Sequence, residues 1–188
     1  MRNLRYLLLV LPALWFTACI DKVQSDYTPQ MHFSYFINQH GDTLAVRPSA
    51  DGETNVLDTM HLNDTLAFYV VFDALVNNLM GARFSWDTDR AEMLFGVGTD
   101  MAAALLPESD TLAGVFLLPA VREYRTALIP ARYIPTAVGT GKMQIQAESD
   151  SKFSPNKVEI LVPAIPSPAI PSPAIPSPAI PSPAAASF

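Results

Sequence analysis

Residues Asn63–Asp87 read NDTLAFYVVFDALVNNLMGARFSWD, and their spacing decides the fold. Leu66, Phe68, Val70 and Phe72 alternate with Thr65, Ala67, Tyr69 and Val71. A period of two puts one set on each side of an extended chain, and β-branched and aromatic residues favour that conformation. Asn77-Asn78 supplies turn residues, after which Met80, Ala82, Phe84 and Trp86 alternate with Gly81, Arg83 and Ser85. The two segments read as the central hairpin of a β-sandwich, each with its large apolar side chains on one face.

The same pattern extends outward in both directions. Upstream, Met31–Asn38 alternates Phe33, Tyr35 and Ile37 with His32, Ser34 and Phe36. Gln39–Asp42 turns the chain into a hairpin partner at Thr43–Arg47, and Val56–Met60 forms a short strand before the Asn63-Asp64 turn. Downstream, Glu92–Phe95, Thr111–Leu118, Tyr124–Ile134, Lys142–Glu148 and Lys157–Val162 read as strands. Thr99–Leu106 is the one helical stretch, with Thr99 placed as N-cap and Pro107 ending it. The expected fold is all-β, a two-sheet sandwich of about 8–9 strands with one short helix. It spans residues 29–162, enough to bury roughly two thirds of the unfolded surface without disulfides.

The two ends of the chain are different material. Residues 1–18 read as a signal peptide: Arg2 and Arg5 precede the apolar run Tyr6–Phe16, and Thr17-Ala18 are small. The run falls short of the ~20 apolar residues that span a bilayer. Residues 19–28 form a short tether. From Pro163 the unit Pro-Ala-Ile-Pro-Ser recurs, starting again at Pro168, Pro173 and Pro178 and running out in PAAASF. Two prolines in every five residues fix φ and remove backbone donors, so residues 163–188 are expected to be a disordered, polyproline-II-like tail. Such a tail is a spacer, a ligand for an aromatic groove, or an expanded repeat without a role.

Two resemblances bear on these readings. The tetrad Phe16-Thr17-Ala18-Cys19 resembles the lipobox of bacterial lipoproteins, and Cys19 is the single cysteine of the chain. The resemblance implies diacylglyceryl transfer to the Cys19 thiol, cleavage before it, and acylation of the new N-terminus with a fatty acid such as palmitate. Several acyl chains, at ~0.8 kcal/mol per buried CH₂, anchor a protein firmly. The expected location is therefore the bacterial cell envelope, at the outer membrane, with the lipid on Cys19 as the membrane partner. Surface display in Bacteroidetes-type lipoproteins goes with acidic clusters after the cysteine; Ile20-Asp21-Lys22 leaves the membrane face open. The Asn-Asp-Thr turn, aromatic strand and strand ending in Trp86-Asp87 are similar to secreted immunoglobulin-like modules, including cohesin-like sandwiches and small Bacteroidetes-type lipoproteins. That resemblance implies an immunoglobulin-like sandwich and no particular chemistry.

Charge and motifs narrow the function classes. Twelve Lys+Arg against 18 Asp+Glu give a net charge of −6, and no basic cluster offers a surface for nucleic acid. His32, His40 and His61 are widely spaced, and Asp87-Thr88-Asp89 lacks the rest of a calcium loop, so no metal site is expected. Gly139-Thr140-Gly141-Lys142 departs from a phosphate loop at Thr136 and Met143 and reads as a tight turn, so no cofactor is expected. Ser149 and Lys152 have Ser-x-x-Lys spacing but lie in a loop near Pro155. The expectation is a non-catalytic interaction or structural module whose partner is another envelope protein or a glycan. Tyr69, Tyr124 and Tyr133 are the candidate ligand surface, since sugar-binding sandwiches use exposed aromatic platforms. A glycan-binding lipoprotein is the alternative reading and a small hydrolase a third.

Overall fold

The computed structural model describes residues 26–168, apart from 51 and 53. The signal peptide 1–18, the lipidation site Cys19, most of the tether and the tail from 169 onward lie outside the described residues. Within them the chain forms a two-sheet β-sandwich. The first sheet contains β1 (Gln30–Phe33), β2 (Phe36–Ile37), β3 (Thr43–Leu44), β7 (Leu66–Asp73), β9 (Ala91–Phe95) and β11 (Thr126–Pro135). The second contains β4 (Val46–Pro48), β5 (Asn55–Leu57), β6 (Met60–His61), β8 (Leu79–Trp86), β10 (Val115–Leu117), β12 (Gly139–Ser149) and β13 (Asn156–Ile165). One short helix, α1 (Thr99–Ala104), lies between β9 and β10.

The alternation at Asn63–Asp87 produces both strands, β7 and β8, but they are not a hairpin. β7 pairs with β1, β2 and β11, whereas β8 pairs with β10 and β12 in the opposite sheet. The connection Ala74–Asn78 is an arch between sheets. Asp73 accepts the Leu75 N–H at its Oδ1 (2.7 Å), Leu75 takes a left-handed φ of 58°, and the Asn77 N–H donates to the Ala74 carbonyl. The two apolar faces then meet across the core instead of lying side by side: Phe72 and Phe84 pack edge-on at 5.9 Å between ring centroids. Leu66, Phe68, Val70 and Phe72 from one sheet and Met143, Ile145, Ala147, Ile160 and Val162 from the other are buried.

Other expected elements are subdivided or shifted. Met31–Asn38 is two strands, interrupted where the Ser34 hydroxyl accepts the Tyr69 N–H (2.9 Å). Thr43–Arg47 divides at Ala45, where the chain passes from one sheet to the other as β3 gives way to β4. The helix keeps its start at Thr99 but is capped by extended Gly98, with no side-chain cap, so Thr99 is its first residue and not its N-cap. Gly139 and Gly141 are not a turn. They lie inside β12, where a Cβ on Gly141 would sit 2.5 Å from the Tyr133 hydroxyl. Glycine is there because the Tyr133 side chain fills the space a Cβ would take.

The closing strand also runs past its expected end. β13 continues through Pro163, Ala164 and Ile165, and Ala164 is buried. Its parallel partner is β5 as far as Leu161 and β6 from Ala164 onward, so Pro163 falls in the gap between the two partners. A missing N–H is tolerated at such a place. The chain enters and leaves at opposite ends. Asn77 and Asn156 donate to the carbonyls of Tyr27 and Pro29 at the arch end, while the Ser167 hydroxyl donates to the Leu62 carbonyl (2.7 Å) at the other.

Candidate functional site

In the six-stranded sheet, inward residues of β7 fill the core and the alternate set, Ala67, Tyr69 and Val71, faces outward. Their cross-strand partners on β11 are Arg132, Pro130 and Leu128. On the other side of β7, Ile37 of β2 pairs with Ala67; on the other side of β11, Leu94 of β9 pairs with Arg132. Side chains on one sheet face at paired positions lie within contact range. This outer face therefore gathers Tyr35 (77% exposed), Leu94 and Leu128 (51% each), Tyr69 (46%) and Ile37 (41%).

Two shallow depressions divide the face along β7. The first, of about 240 Å³, is walled by Tyr35, Ile37 and Tyr69 over Ala67. The second, of about 390 Å³, lies between β7 and β9 and is walled by Leu94, Pro130 and Arg132. The second exists because β9 ends at Phe95: the Gly96 N–H donates to the Pro130 carbonyl (2.9 Å), and past it β11 has no neighbour on that side. Proline in an otherwise internal strand fits there, since nothing pairs with its nitrogen.

The opposite outer face is of another kind. Arg83 meets Glu148 at 2.7 Å, and Lys142 meets Glu159 at 2.6 Å. Gln146 donates to Glu148 at 2.9 Å. These side chains satisfy one another across β8, β12 and β13.

The three expected tyrosines do not share a surface. Tyr69 is on the open face just described. Tyr124 is half-buried beside the arch, where its carbonyl accepts the Leu79 N–H and its hydroxyl accepts from Arg122 (3.3 Å). Tyr133 is 1% exposed and belongs to the core, because its position in β11 falls in the inward register. Burial, with a smaller push from Asp87 and an opposing one from Arg90, raises its phenol to about 12. Tyr133 is thus removed from the ligand surface. Tyr35, its true companion to Tyr69, was legible only as part of an alternation.

A polar cleft of about 720 Å³ opens at the exit end, between the Asn38–Asp42 turn and the loop before β7. It holds His40 and His61, and Gln39 donates to Asp64 across it at 2.6 Å. His61 Nδ1 donates to the Pro166 carbonyl (3.1 Å), and Ser167 and Pro168 line the same cleft. Among the described residues no three His, Cys, Asp or Glu side chains converge as metal ligands. Asp87, first of the Asp-Thr-Asp run, accepts the Lys142 N–H at 2.9 Å. Lys152 reaches Asp26 at 3.2 Å, while the Ser149 N–H donates to the Ser154 hydroxyl; Ser149 ends β12 and Lys152 lies in the loop after it, not on a helix. No helix among the described residues is long and apolar enough to cross a membrane.

No protein-family model and no curated protein sequence matches the chain. Among the solved structures that resemble it in part are two of known origin. A family 123 glycoside hydrolase from Clostridium perfringens, solved to follow glycolipid glycan hydrolysis, aligns at 10% identity and a TM-score of 0.38. The alignment covers 75% of this chain and 28% of the hydrolase. Domains 4 and 5 of the S-layer protein SbsC align at 14% identity and a TM-score of 0.31, over 65% of this chain and 46% of theirs. This chain thus spans less than half the length of either, and likeness at that level says nothing about what it binds.

Proposed function

We propose that the protein is a lipid-anchored, non-catalytic interaction module of the bacterial cell envelope that presents the outer face of its six-stranded sheet to a partner. One observation carries the reading. Around Tyr35, Ile37, Tyr69, Leu94 and Leu128 that face is apolar, aromatic and left open by the described residues, whereas the opposite face carries paired charges. Contiguous apolar patches on a soluble domain mark contact sites. The charged start, apolar run and tetrad ending in Cys19 support anchoring at the outer membrane.

Photo-crosslinking in cells tests the face. A benzoylphenylalanine in place of Leu94 is expected to form adducts that the same probe at Gln144, on the opposite sheet, does not. Equal adducts from both positions, or none from either, would refute the reading. Fractionation tests the anchor: Cys19→Ala should release the protein from the membrane, and retention as before would sink it. Glycan binding is the second reading, favoured by Tyr35 and Tyr69 walling one depression. It predicts retardation by envelope polysaccharide in a native gel, lost in a Tyr35→Ala/Tyr69→Ala variant.

A further inference from the structure

We infer that the outer face of the six-stranded sheet is covered by the protein's own Pro-Ala-Ile-Pro-Ser repeats, residues 169–188, folding back from Pro168 in the same chain. The inference rests on the reading of that face as a binding surface and names its resident occupant.

The exit point is the first reason. The described chain ends at Pro168, held in the polar cleft by the Ser167–Leu62 and His61–Pro166 hydrogen bonds. One wall of that cleft is Asn38, whose chain neighbour Ile37 lies on the outer face. The repeats are therefore released from a cleft between the two sheets, one wall of which adjoins the apolar face.

Reach is the second. Twenty residues, the number from 169 to 188, can reach ~60 Å at the ~3.1 Å per residue of polyproline II. From β2 across β7 and β11 to β9 is three strand spacings, ~14 Å. The tail crosses the face several times over, and one five-residue repeat, at ~15 Å, spans both depressions.

Chemistry is the third. Each repeat contains Pro-x-x-Pro, with Ile between the prolines, and residues 169–188 carry no charged side chain. Prolines of such a helix seat in grooves walled by tyrosine, because the rings match and little entropy is left to lose. Attachment completes the argument. A short tether holds its ligand at an effective concentration in the millimolar range, so at ~10 µM protein a chain's own tail outcompetes a neighbour's about a hundredfold. The repeats then act as a built-in competitor that any outside partner must displace.

The test uses the full chain in detergent, with benzoylphenylalanine replacing exposed Leu94, mixed with an equal amount of isotope-labelled chain. After irradiation, mass spectrometry should find links from position 94 to residues 169–188 within single chains. Their yield should fall about tenfold or more when Ile170, Ile175 and Ile180 are all changed to Ser, and when the probe is moved to Gln144. Both changes avoid the packed core, so misfolding does not confuse the result. Links joining labelled to unlabelled chains would overturn the inference in favour of a second copy as occupant. So would the absence of any link to the tail. If position 94 captured an envelope component in cells but never the tail, the interaction reading would survive and this inference would fall. If it captured neither, both would fall.

Discussion

The two sheets bury the same kind of residue inward and present opposite kinds outward. Behind β8, β12 and β13, the solvent side carries Arg83, Glu148, Lys142 and Glu159 in pairs. Behind β7 and β11, the corresponding positions carry Tyr69, Leu128 and Pro130, with Arg132 toward one end. Neither outer face contributes to the shared core, so folding alone does not account for the difference. An outer face free to be polar costs nothing to keep so, and one that stays apolar risks adhesion. The contrast therefore points to contact made after folding.

Equality on the inside can be broken first. Phe72→Ala and Phe84→Ala, one from each sheet and packed on each other, should each destabilise by about 3–5 kcal/mol in urea unfolding. A near-neutral result for either would mean that one sheet hardly depends on the core. The next largest effect separates two stop positions. Ending the chain before Ala164 removes a buried residue and two hydrogen bonds to Leu62, those of Ile165 and Ser167. That should cost about 2 kcal/mol. Ending it before Ala169 should leave the unfolding free energy within about 0.5 kcal/mol, because no buried residue of the sandwich is removed.

A buried tyrosine sharpens the comparison by pH. The neutral phenol of Tyr133 is favoured by burial, so its stability is intact below the unfolded value near 10 and is lost as pH rises toward about 12. Tyr133→Phe should remove that alkaline loss, measured by urea midpoints across the window. On the outside, Lys142→Ala should cost under about 1 kcal/mol, since the pair is largely solvated. Smallest of all, Tyr35→Ser with Tyr69→Ser should change stability by no more than about 0.5 kcal/mol. A larger loss would show that the apolar face is structural.

Alternation identified which side chains of β7, β8 and β12 point inward, and so most of the core, because a period of two is a property of the strand itself. It could not identify pairing. Asn77-Asn78 signals a turn equally well for a hairpin and for an arch, and only the distribution of partners separates them. Tyr133 was misjudged for a related reason: Pro130 and Pro135 obscure the register of β11, which otherwise assigns Tyr133 with Ile129 and Ala131 to the core. The apolar outer face itself is an assembly of β2, β7, β9 and β11, distant in sequence and mute one at a time. Pro163–Ile165 looked like tail because composition changes there, yet the gap between β5 and β6 admits a proline.

Entry at the arch end and exit beside Leu62 have a mechanical consequence. A pull that separates residue 26 from residue 168 acts along β1 in one direction and along β13 in the other. Each strand is then loaded in shear, so the rungs between β13 and β12 from Asn156 to Ala164 resist together instead of opening one by one. Loaded in shear, the β12–β13 ladder is expected to resist such a pull better than one that peels β13 away from its end.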